Sequence, residues 1–443
     1  MRKHLIILII FLLPIIGMAQ EKWNLKSCID YGLENHRSRK IRSNEQLAAD
    51  AKAKEALSAY LPNISIDGSV DDNLKVQEQV IPAGLFGPND TRVAFTKKFG
   101  TTATIQLDQT IYDQSLLTGL KANKYNAKIA DYNVQASDEE IIFNVSTAYY
   151  QILVYEQQLV LLQNNLNSYK KQLAVATMQV DKGVATKVDL NKIQVSYNNT
   201  ASDIQVAESD LIQSKNKLKN VMGMPLSMNL IINDSKSDSS LNDIMILDSI
   251  AFDVNQRTEY KVSEANQSLL EIDKKRIQDN IIPKISFYGR YGGNGFGDKI
   301  GESFSTINSF SAIGLKLKWN IFDGFKQGAQ SRQAEYKRLN GLETLKLDAD
   351  KYKLEFENAK AKLLKAQTRS FNDNKNVKLA IAVFNGIDLQ YSKGVIPITD
   401  WLTAQNDLRQ AQNNYLNSIN DFYLARIELE KANGSLKKYY NQL

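Results

Sequence analysis

The chain has 443 residues, which is enough for two or three compact units or for one elongated unit. Its net charge of +6 is modest, and no cluster of Lys and Arg alternates with aromatic residues, so the sequence argues against nucleic-acid binding. Only 22 Gly and 7 Pro residues occur, and this composition favours helix over loop.

The N-terminus has the three parts of a secretory signal peptide. Arg2 and Lys3 are followed by an apolar run over residues 5–16 and then by small residues at 17–19. We therefore expect a signal peptide over residues 1–19, which directs the chain out of the cytoplasm.

Few residues in the chain could carry catalysis or bind a cofactor. Cys28 is the single cysteine, and the charged Lys26 beside it argues against lipid attachment, so we expect a buried thiol. After processing, His36 is the only histidine, which excludes His-based metal sites and nucleophilic triads. The glycine-rich stretch 291–297 lacks the Lys and the helix start of a phosphate-binding loop. The sequence predicts neither an enzyme nor a cofactor.

An internal repeat is visible in two short turns. Residues 182–190 read KGVATKVDL, and residues 393–401 read KGVIPITDW. Further pairs follow in the same order at nearly the same offset: 35–38 with 255–258, 59–66 with 280–287, 110–113 with 320–323 and 222–223 with 433–434. We therefore expect a first repeat over 20–224, a linker rich in Ser, Asp and Asn over 225–248, and a second repeat over 249–443.

Long segments of each repeat carry apolar residues at the 3.5-residue period of coiled coils. The pattern runs up to each Lys-Gly-Val turn and resumes after it, which predicts one antiparallel helical hairpin per repeat. The first ascending helix could run from Asp113 to Lys182, on the order of 100 Å. The main positions are Ile141, Val145, Ala148, Ile152, Leu162, Tyr169 and Ala176 before the first turn, and Phe356, Leu363, Phe384, Trp401, Ala404 and Leu408 around the second.

Between the hairpins the period changes from 3.5 to two. Four segments of about ten residues alternate apolar with polar side chains, which predicts four strands, two per repeat. Such strands could cross a bilayer when tilted, but a soluble sandwich would show the same alternation. Four strands cannot close a barrel, so several chains would have to share one. The apolar positions are Ile64, Ile66 and Val70; Ile105, Leu107 and Ile111; Ile285 and Phe287; and Ile313, Leu315, Leu317, Trp319 and Ile321.

Taken in order, these features resemble the TolC-like outer membrane efflux proteins. The resemblance covers the whole mature chain and rests on the two Lys-Gly-Val…Asp turns together with Trp23-Asn24-Leu25, Cys28-Ile29, Leu33-Glu34-Asn35, Leu61-Pro62-Asn63-Ile64-Ser65 and Ile282-Pro283-Lys284-Ile285-Ser286. It implies a mixed, mainly α fold, in which a homotrimer forms a 12-stranded β-barrel in the outer membrane and a periplasmic α-helical tunnel. Loops 72–99 and 292–309 would then face the outside.

The function that this resemblance implies is that of an outer membrane exit duct. It would passively conduct small molecules or secreted protein delivered by an inner-membrane transporter and a periplasmic adaptor. The alternative is a soluble periplasmic coiled-coil scaffold or adaptor without a channel. Such a protein would share the signal peptide and the heptads, but it would not need four strands with one face fit for lipid.

The resemblance also implies roles for particular residues. Adaptor-contacting tips would be Gly183, Val184, Ala185, Thr186, Gly394, Val395, Ile396 and Pro397. The periplasmic gate would involve Asp189, Tyr391 and Asp400, although Ile396 stands where a link partner is often Arg. Arg290, Lys316 and Lys318 would line the barrel lumen.

Helix capping offers a simpler explanation of the residues around both turns. Gly183 and Gly394 can take the left-handed conformation that ends a helix. Thr186 and Asp189 have the spacing of a capping box, and Pro397 suits the first turn of a helix. The two roles, capping and gating, remain open from the sequence.

Overall fold

The computed structural model describes residues 22–84, 87–232 and 251–443. The predicted signal peptide over 1–19 lies outside the described residues, and so does most of the predicted linker over 225–248. Among the described residues, no helix combines the length and the apolar character needed to cross a membrane.

Groups of helices and groups of strands follow one another along the described chain. The first part of the chain contains β1 (Lys22–Trp23), α1 (Leu25–Asn35), α2 (Arg37–Ser58), β2 (Asn63–Asp72), β3 (Glu78–Ile81), β4 (Thr91–Ala94), β5 (Phe99–Tyr112), α3 (Gln114–Leu120), α4 (Ala122–Asp181), α5 (Lys187–Met222) and β6 (Ile231–Ile232). The second part contains α6 (Thr258–Asp279), β7 (Lys284–Gly297), α7 (Glu302–Ser305), β8 (Ile307–Lys318), α8 (Lys326–Ser392), α9 (Ile398–Ala432) and α10 (Leu436–Gln442).

These elements belong to two compact units. The helical unit draws its described residues from Met1–Asn44, Tyr132–Lys261 and Leu347–Leu443. The sheet unit comprises Glu45–Asp131 and Val262–Lys346. Each unit takes segments from both halves of the sequence.

The sheet unit is built on four antiparallel strands in the order β2-β5-β7-β8. Cross-strand neighbours share a face, and the register places Ile66 opposite Ile105 and Phe287 opposite Leu315. The other face is polar. The predicted lumen residues Arg290, Lys316 and Lys318 all lie on it, at the register positions opposite Ala312, Ser286 and Lys284 respectively. The predicted alternation of lipid-compatible and polar faces is therefore present in all four strands.

One strand departs from regular pairing. The register between β5 and β7 shifts between Thr110 and Tyr112, so that Tyr112 lies opposite Ile285. Ile111 has no partner on β7, so the regular pairing of β5 is interrupted at this residue. Bulges of this kind are common at sheet ends, where they bend the strand.

The predicted strand ends and loops also needed correction. β8 ends at Lys318, before Trp319 and Ile321, because the chain then turns into α8. In that turn the Asp323 carboxylate accepts a hydrogen bond from the backbone N–H of Gln327. β7 continues to Gly297, so the loop predicted over 292–309 is shorter. The predicted loop 72–99 contains its own hairpin, in which β3 pairs with β4.

The ascending helix of the first hairpin begins as two pieces. Asp113 caps α3 by accepting a hydrogen bond from the backbone N–H of Leu116, and its carboxylate lies 2.8 Å from Nζ of Lys284. α3 ends at Leu120 and α4 starts at Ala122, so the helix predicted from Asp113 onward is not continuous there. Beyond this break α4 contains 60 residues without interruption.

The core of the helical unit lies along the predicted heptad positions. The buried members in the first hairpin are Ile141, Val145, Ala148, Ile152, Leu162, Tyr169 and Ala176. Those in the second hairpin are Phe356, Leu363, Phe384, Trp401, Ala404, Leu408, Phe422, Ala425 and Leu429. Cys28 of α1 is also fully buried, as expected, and burial raises the pKa of its thiol to about 12. The 3.5-residue pattern thus predicted the core correctly.

Candidate functional site: the tips of the two hairpins

Both hairpins turn with the same backbone hydrogen bonds. In the first, the N–H of Gly183 donates to the carbonyl of Val180, and the N–H of Val184 donates to the carbonyl of Gln179. In the second, Gly394 donates to Tyr391 and Val395 donates to Gln390. These pairs form the Schellman motif that ends a helix, and it needs a left-handed residue at the glycine. Gly183 has φ +73° and Gly394 has φ +74°.

Helix caps differ between the two turns. Thr186 caps α5 as predicted, because its hydroxyl oxygen accepts a hydrogen bond from the backbone N–H of Asp189. Pro397 occupies the cap position of α9 with φ −74°, and the helix begins at Ile398. The prediction that Pro397 lies in the first turn of the helix was therefore off by one residue. Pro397 has no side-chain atom that can accept a hydrogen bond, so α9 has no side-chain cap.

The predicted adaptor-contacting residues are mostly exposed. Val184 and Val395 are 77% and 71% exposed. Ala185 and Ile396 are half-buried. The remaining members of the set are exposed: Gly183, Thr186, Gly394 and Pro397.

The predicted gate residues occupy three different environments. The Asp189 carboxylate accepts a hydrogen bond from the Thr186 hydroxyl at 2.7 Å and lies 3.4 Å from Nζ of Lys192. The hydrogen bond from Thr186 is the main cause that lowers the pKa of Asp189 below its ordinary value, and the nearby Lys192 lowers it further. Asp400 is exposed in the first turn of α9, where a negative charge is favourable.

Tyr391 is buried, and its hydroxyl has a partner on the other hairpin. Its hydroxyl donates to the side-chain oxygen of Gln179 at 3.2 Å. Among the described residues, no hydrogen bond joins it to Asp189, although the Asp189 charge is near enough to act on it. Burial, with a smaller contribution from that charge, raises the pKa of Tyr391.

An aromatic cluster supports the second tip from within. Trp401 is fully buried, and its ring lies 5.7 Å from Tyr169, 5.7 Å from Phe384 and 6.4 Å from Tyr391 between centroids. Such contacts fix side chains in single orientations. The helix positions near both tips are therefore set by one shared core.

Polar residues that sequence analysis missed join the two hairpins. Gln172 of α4 donates to the Asp388 carboxylate of α8 at 2.8 Å. Farther from the tips, Asn165 of α4 donates to Gln412 at 3.1 Å and accepts from Gln405 at 3.0 Å. Asn165, Gln172 and Gln179 recur every seven residues, so they form one polar stripe along α4 beside the apolar heptad positions. That amide spacing was the signal available in the sequence.

Comparisons with known proteins agree with this architecture. Residues 34–224 match the family described as outer membrane efflux protein. The chain is 22% identical to outer membrane protein TolC of Vibrio cholerae, over 76% of this chain and 77% of that protein.

The chain is similar to the TolC-like outer membrane efflux proteins, and residues 34–224 match the model of that family.

Two further likenesses fit this family. The alkaline protease secretion protein AprF of Pseudomonas aeruginosa is 19% identical, over 53% of this chain and 49% of that protein. The solved structure of the transmembrane channel CusC has a TM-score of 0.75 at 16% identity, covering 92% of this chain and 91% of that one.

These likenesses give the chain its place and its general role. It is an outer membrane exit duct with a helical extension into the periplasm. The family consists of channels rather than enzymes. One chain supplies an open four-stranded sheet, as the sequence predicted for a subunit that shares a barrel.

Proposed function

We propose that three copies of this chain form one duct, which passively conducts small molecules or secreted protein delivered by an inner-membrane transporter and a periplasmic adaptor. The observation that carries the proposal is the open sheet. Among the described strands, the edge strands β2 and β8 each pair with a single neighbour, and one face of the sheet is apolar and exposed. Open edges are forbidden in lipid, so closure by further copies is required, and three sets of four strands form a 12-stranded barrel.

The exposed sheet face weighs against a soluble scaffold. Ile313, Leu315 and Leu317 are 80%, 71% and 65% exposed on a single strand. A soluble protein would leave these side chains in water, whereas outer membrane lipid would cover them. Arg290, Lys316 and Lys318 would then line the lumen on the opposite face.

The hairpin tips are proposed as the docking site of the periplasmic adaptor. Val184 and Val395 project from two turns with the same backbone geometry, so each chain offers two similar contact points. Three chains would present six such points.

The gate is proposed to lie just above these tips. Gln172–Asp388 and Gln179–Tyr391 hold the first hairpin against the second, and opening of the periplasmic mouth would separate them. Asp189 contributes its charge near Tyr391. Asp400 from three copies would form an acidic ring that attracts cations.

The test is single-channel conductance in a planar bilayer, for the wild type and for the double variant Tyr391→Ala, Asp189→Ala. We expect a small wild-type conductance that rises several-fold in the variant. Equal conductance in both proteins would support the duct but would show that Tyr391 and Asp189 do not form the gate. Absence of any channel, from protein shown to be folded, would overturn the duct.

A further inference from the structure

Charge is segregated on the polar face of the sheet. β2 carries Asp67 and Asp71 on this face, and β8 carries Lys316 and Lys318. β2 and β8 are the two edge strands, and β5 and β7 separate them. Within one copy, the acidic strand and the basic strand therefore lie at opposite edges.

Within the described part of one copy, none of these four charges belongs to an ion pair. Asp67 accepts a hydrogen bond from the Ser65 hydroxyl at 3.4 Å, and Asp71 accepts one from Ser69 at 3.1 Å. Over the residues that the structure describes, no ion pair within 4 Å involves Lys316 or Lys318. Both sets of charges are thus free to meet charges that another copy supplies.

The edges have the direction and length needed to pair with each other. Each of the four strands is antiparallel to its neighbour, so β2 and β8 also run in opposite directions. β2 has 10 residues and β8 has 12, and both have their helix-linked end on the same side of the sheet. When β2 of one copy pairs with β8 of another, their polar side chains lie on the same face of the joined sheet only if polar-face residues are opposite each other in the register.

A register in which the helix-linked ends of β2 and β8 are aligned meets that condition. It places Asn63 of one copy opposite Lys318 of the next, as Lys284 lies opposite Lys318 within a copy. Ser65 then lies opposite Lys316, and Asp67 becomes the diagonal neighbour of Lys316. Diagonal neighbours are about 7–8 Å apart, within reach of a long side chain such as lysine.

In the proposed trimer the β8 edge of one copy lies beside the β2 edge of the next, and we propose that Lys316 and Asp67 form an ion pair across this seam. The inference rests on the proposed trimeric duct and deepens it by naming the contact that selects the neighbouring edge. The acidic edge repels a second acidic edge, so only the β8–β2 joint is favoured. Each trimer contains three such pairs.

The experiment is a charge exchange. Lys316→Asp, Asp67→Lys and the double variant would be purified in detergent, and the fraction of trimer that survives a temperature ramp would be measured by size-exclusion chromatography. We expect each single variant to lower the surviving fraction at the wild-type midpoint by roughly fivefold, because an attractive pair becomes a repulsive one. The double variant should recover most of the loss.

A matched control uses a charge on the same face but away from the seam. Arg290 lies on the central strand β7, so Arg290→Asp combined with Asp67→Lys gives the same net charge without a pair across the seam. This combination should show no recovery. Recovery in it, or none in the Lys316 and Asp67 double variant, would overturn the seam pair. A wild type that is monomeric in detergent and forms no channel would instead overturn the trimeric duct itself.

Discussion

The indole N–H of Trp401 donates a 2.7 Å hydrogen bond to Asp388, to the same carboxylate oxygen that accepts from Gln172. Trp401 belongs to α9, Asp388 to α8 and Gln172 to α4. One carboxylate therefore joins three helices from the two hairpins close to their tips.

Replacement of Asp388 by alanine is expected to loosen this junction. It leaves the buried Trp401 N–H and the Gln172 amide without an acceptor, at a cost of about 1–3 kcal/mol in the free energy of unfolding. If the junction keeps the mouth closed, single-channel conductance should also rise. Glu357→Ala, at an exposed position of the same helix, is the control and should change neither quantity. A normal conductance with reduced stability would make Asp388 a structural residue alone.

Alanine at the two turn glycines should destabilise the tips. Nothing lies within 4 Å of the added Cβ at Gly183 or Gly394, so the cost arises from the positive φ alone, about 1–2 kcal/mol at each turn. Gly386→Ala is the matched control, since that site is also open but lies inside α8, where alanine should stabilise by up to about 1 kcal/mol. Thermal unfolding of the three variants measures the difference. Equal effects at all three positions would contradict the role of backbone conformation.

Asp189 should titrate below the usual range of an aspartate. Its pKa is lowered in the folded state, so its ionised form stabilises the tip above the unfolded pKa of about 4, and that contribution is lost as pH falls through the folded pKa. Thr186→Val removes the main hydrogen bond and should shift the midpoint upward. The NMR chemical shift of the Asp189 side-chain carboxyl carbon, measured against pH, gives the titration midpoint in the wild type and in the variant. A midpoint unchanged by the substitution would assign the shift to Lys192 instead.

A lysine on the apolar face of the sheet should prevent membrane assembly. Leu315→Lys would place a charge against lipid, at about 2–4 kcal/mol near the bilayer midplane. Asn308→Lys, on the polar face of the same strand, should assemble normally. The amount of each variant in isolated outer membranes measures assembly. If both variants accumulate equally, the two faces of the sheet have been assigned wrongly to lipid and lumen.

Hydropathy periods predicted the main elements because side chains on one face recur about every 3.5 residues in packed helices and every two residues in strands. The 3.5-residue spacing located the buried Val145 and Phe356, and the two-residue spacing located the paired Ile66 and Ile105. The bulge at Ile111 escaped because it depends on strand register, which a single strand does not encode.

Partners of polar side chains were harder to predict than their positions. The sequence singled out Tyr391 and Asp189, but the hydrogen bond of Tyr391 goes to Gln179. Asp388 looks like any solvated helix residue until α4 and α9 are placed beside it. A contact between residues more than 200 positions apart depends on how hairpins pack, which periodicity does not specify. The recurrence of Asn165, Gln172 and Gln179 was the one local hint.

The fully buried Cys28 has a practical consequence. A thiol with its pKa raised to about 12 is almost entirely protonated at neutral pH, and reagents that attack thiolates cannot reach it inside the core. Because it is the only cysteine in the chain, the natural protein already serves as an unreactive background for labelling. A cysteine introduced at Val184 or Val395 would carry a spin label or fluorophore at a single known site, and in the proposed trimer the distances between labels on neighbouring copies would report whether the tips move apart.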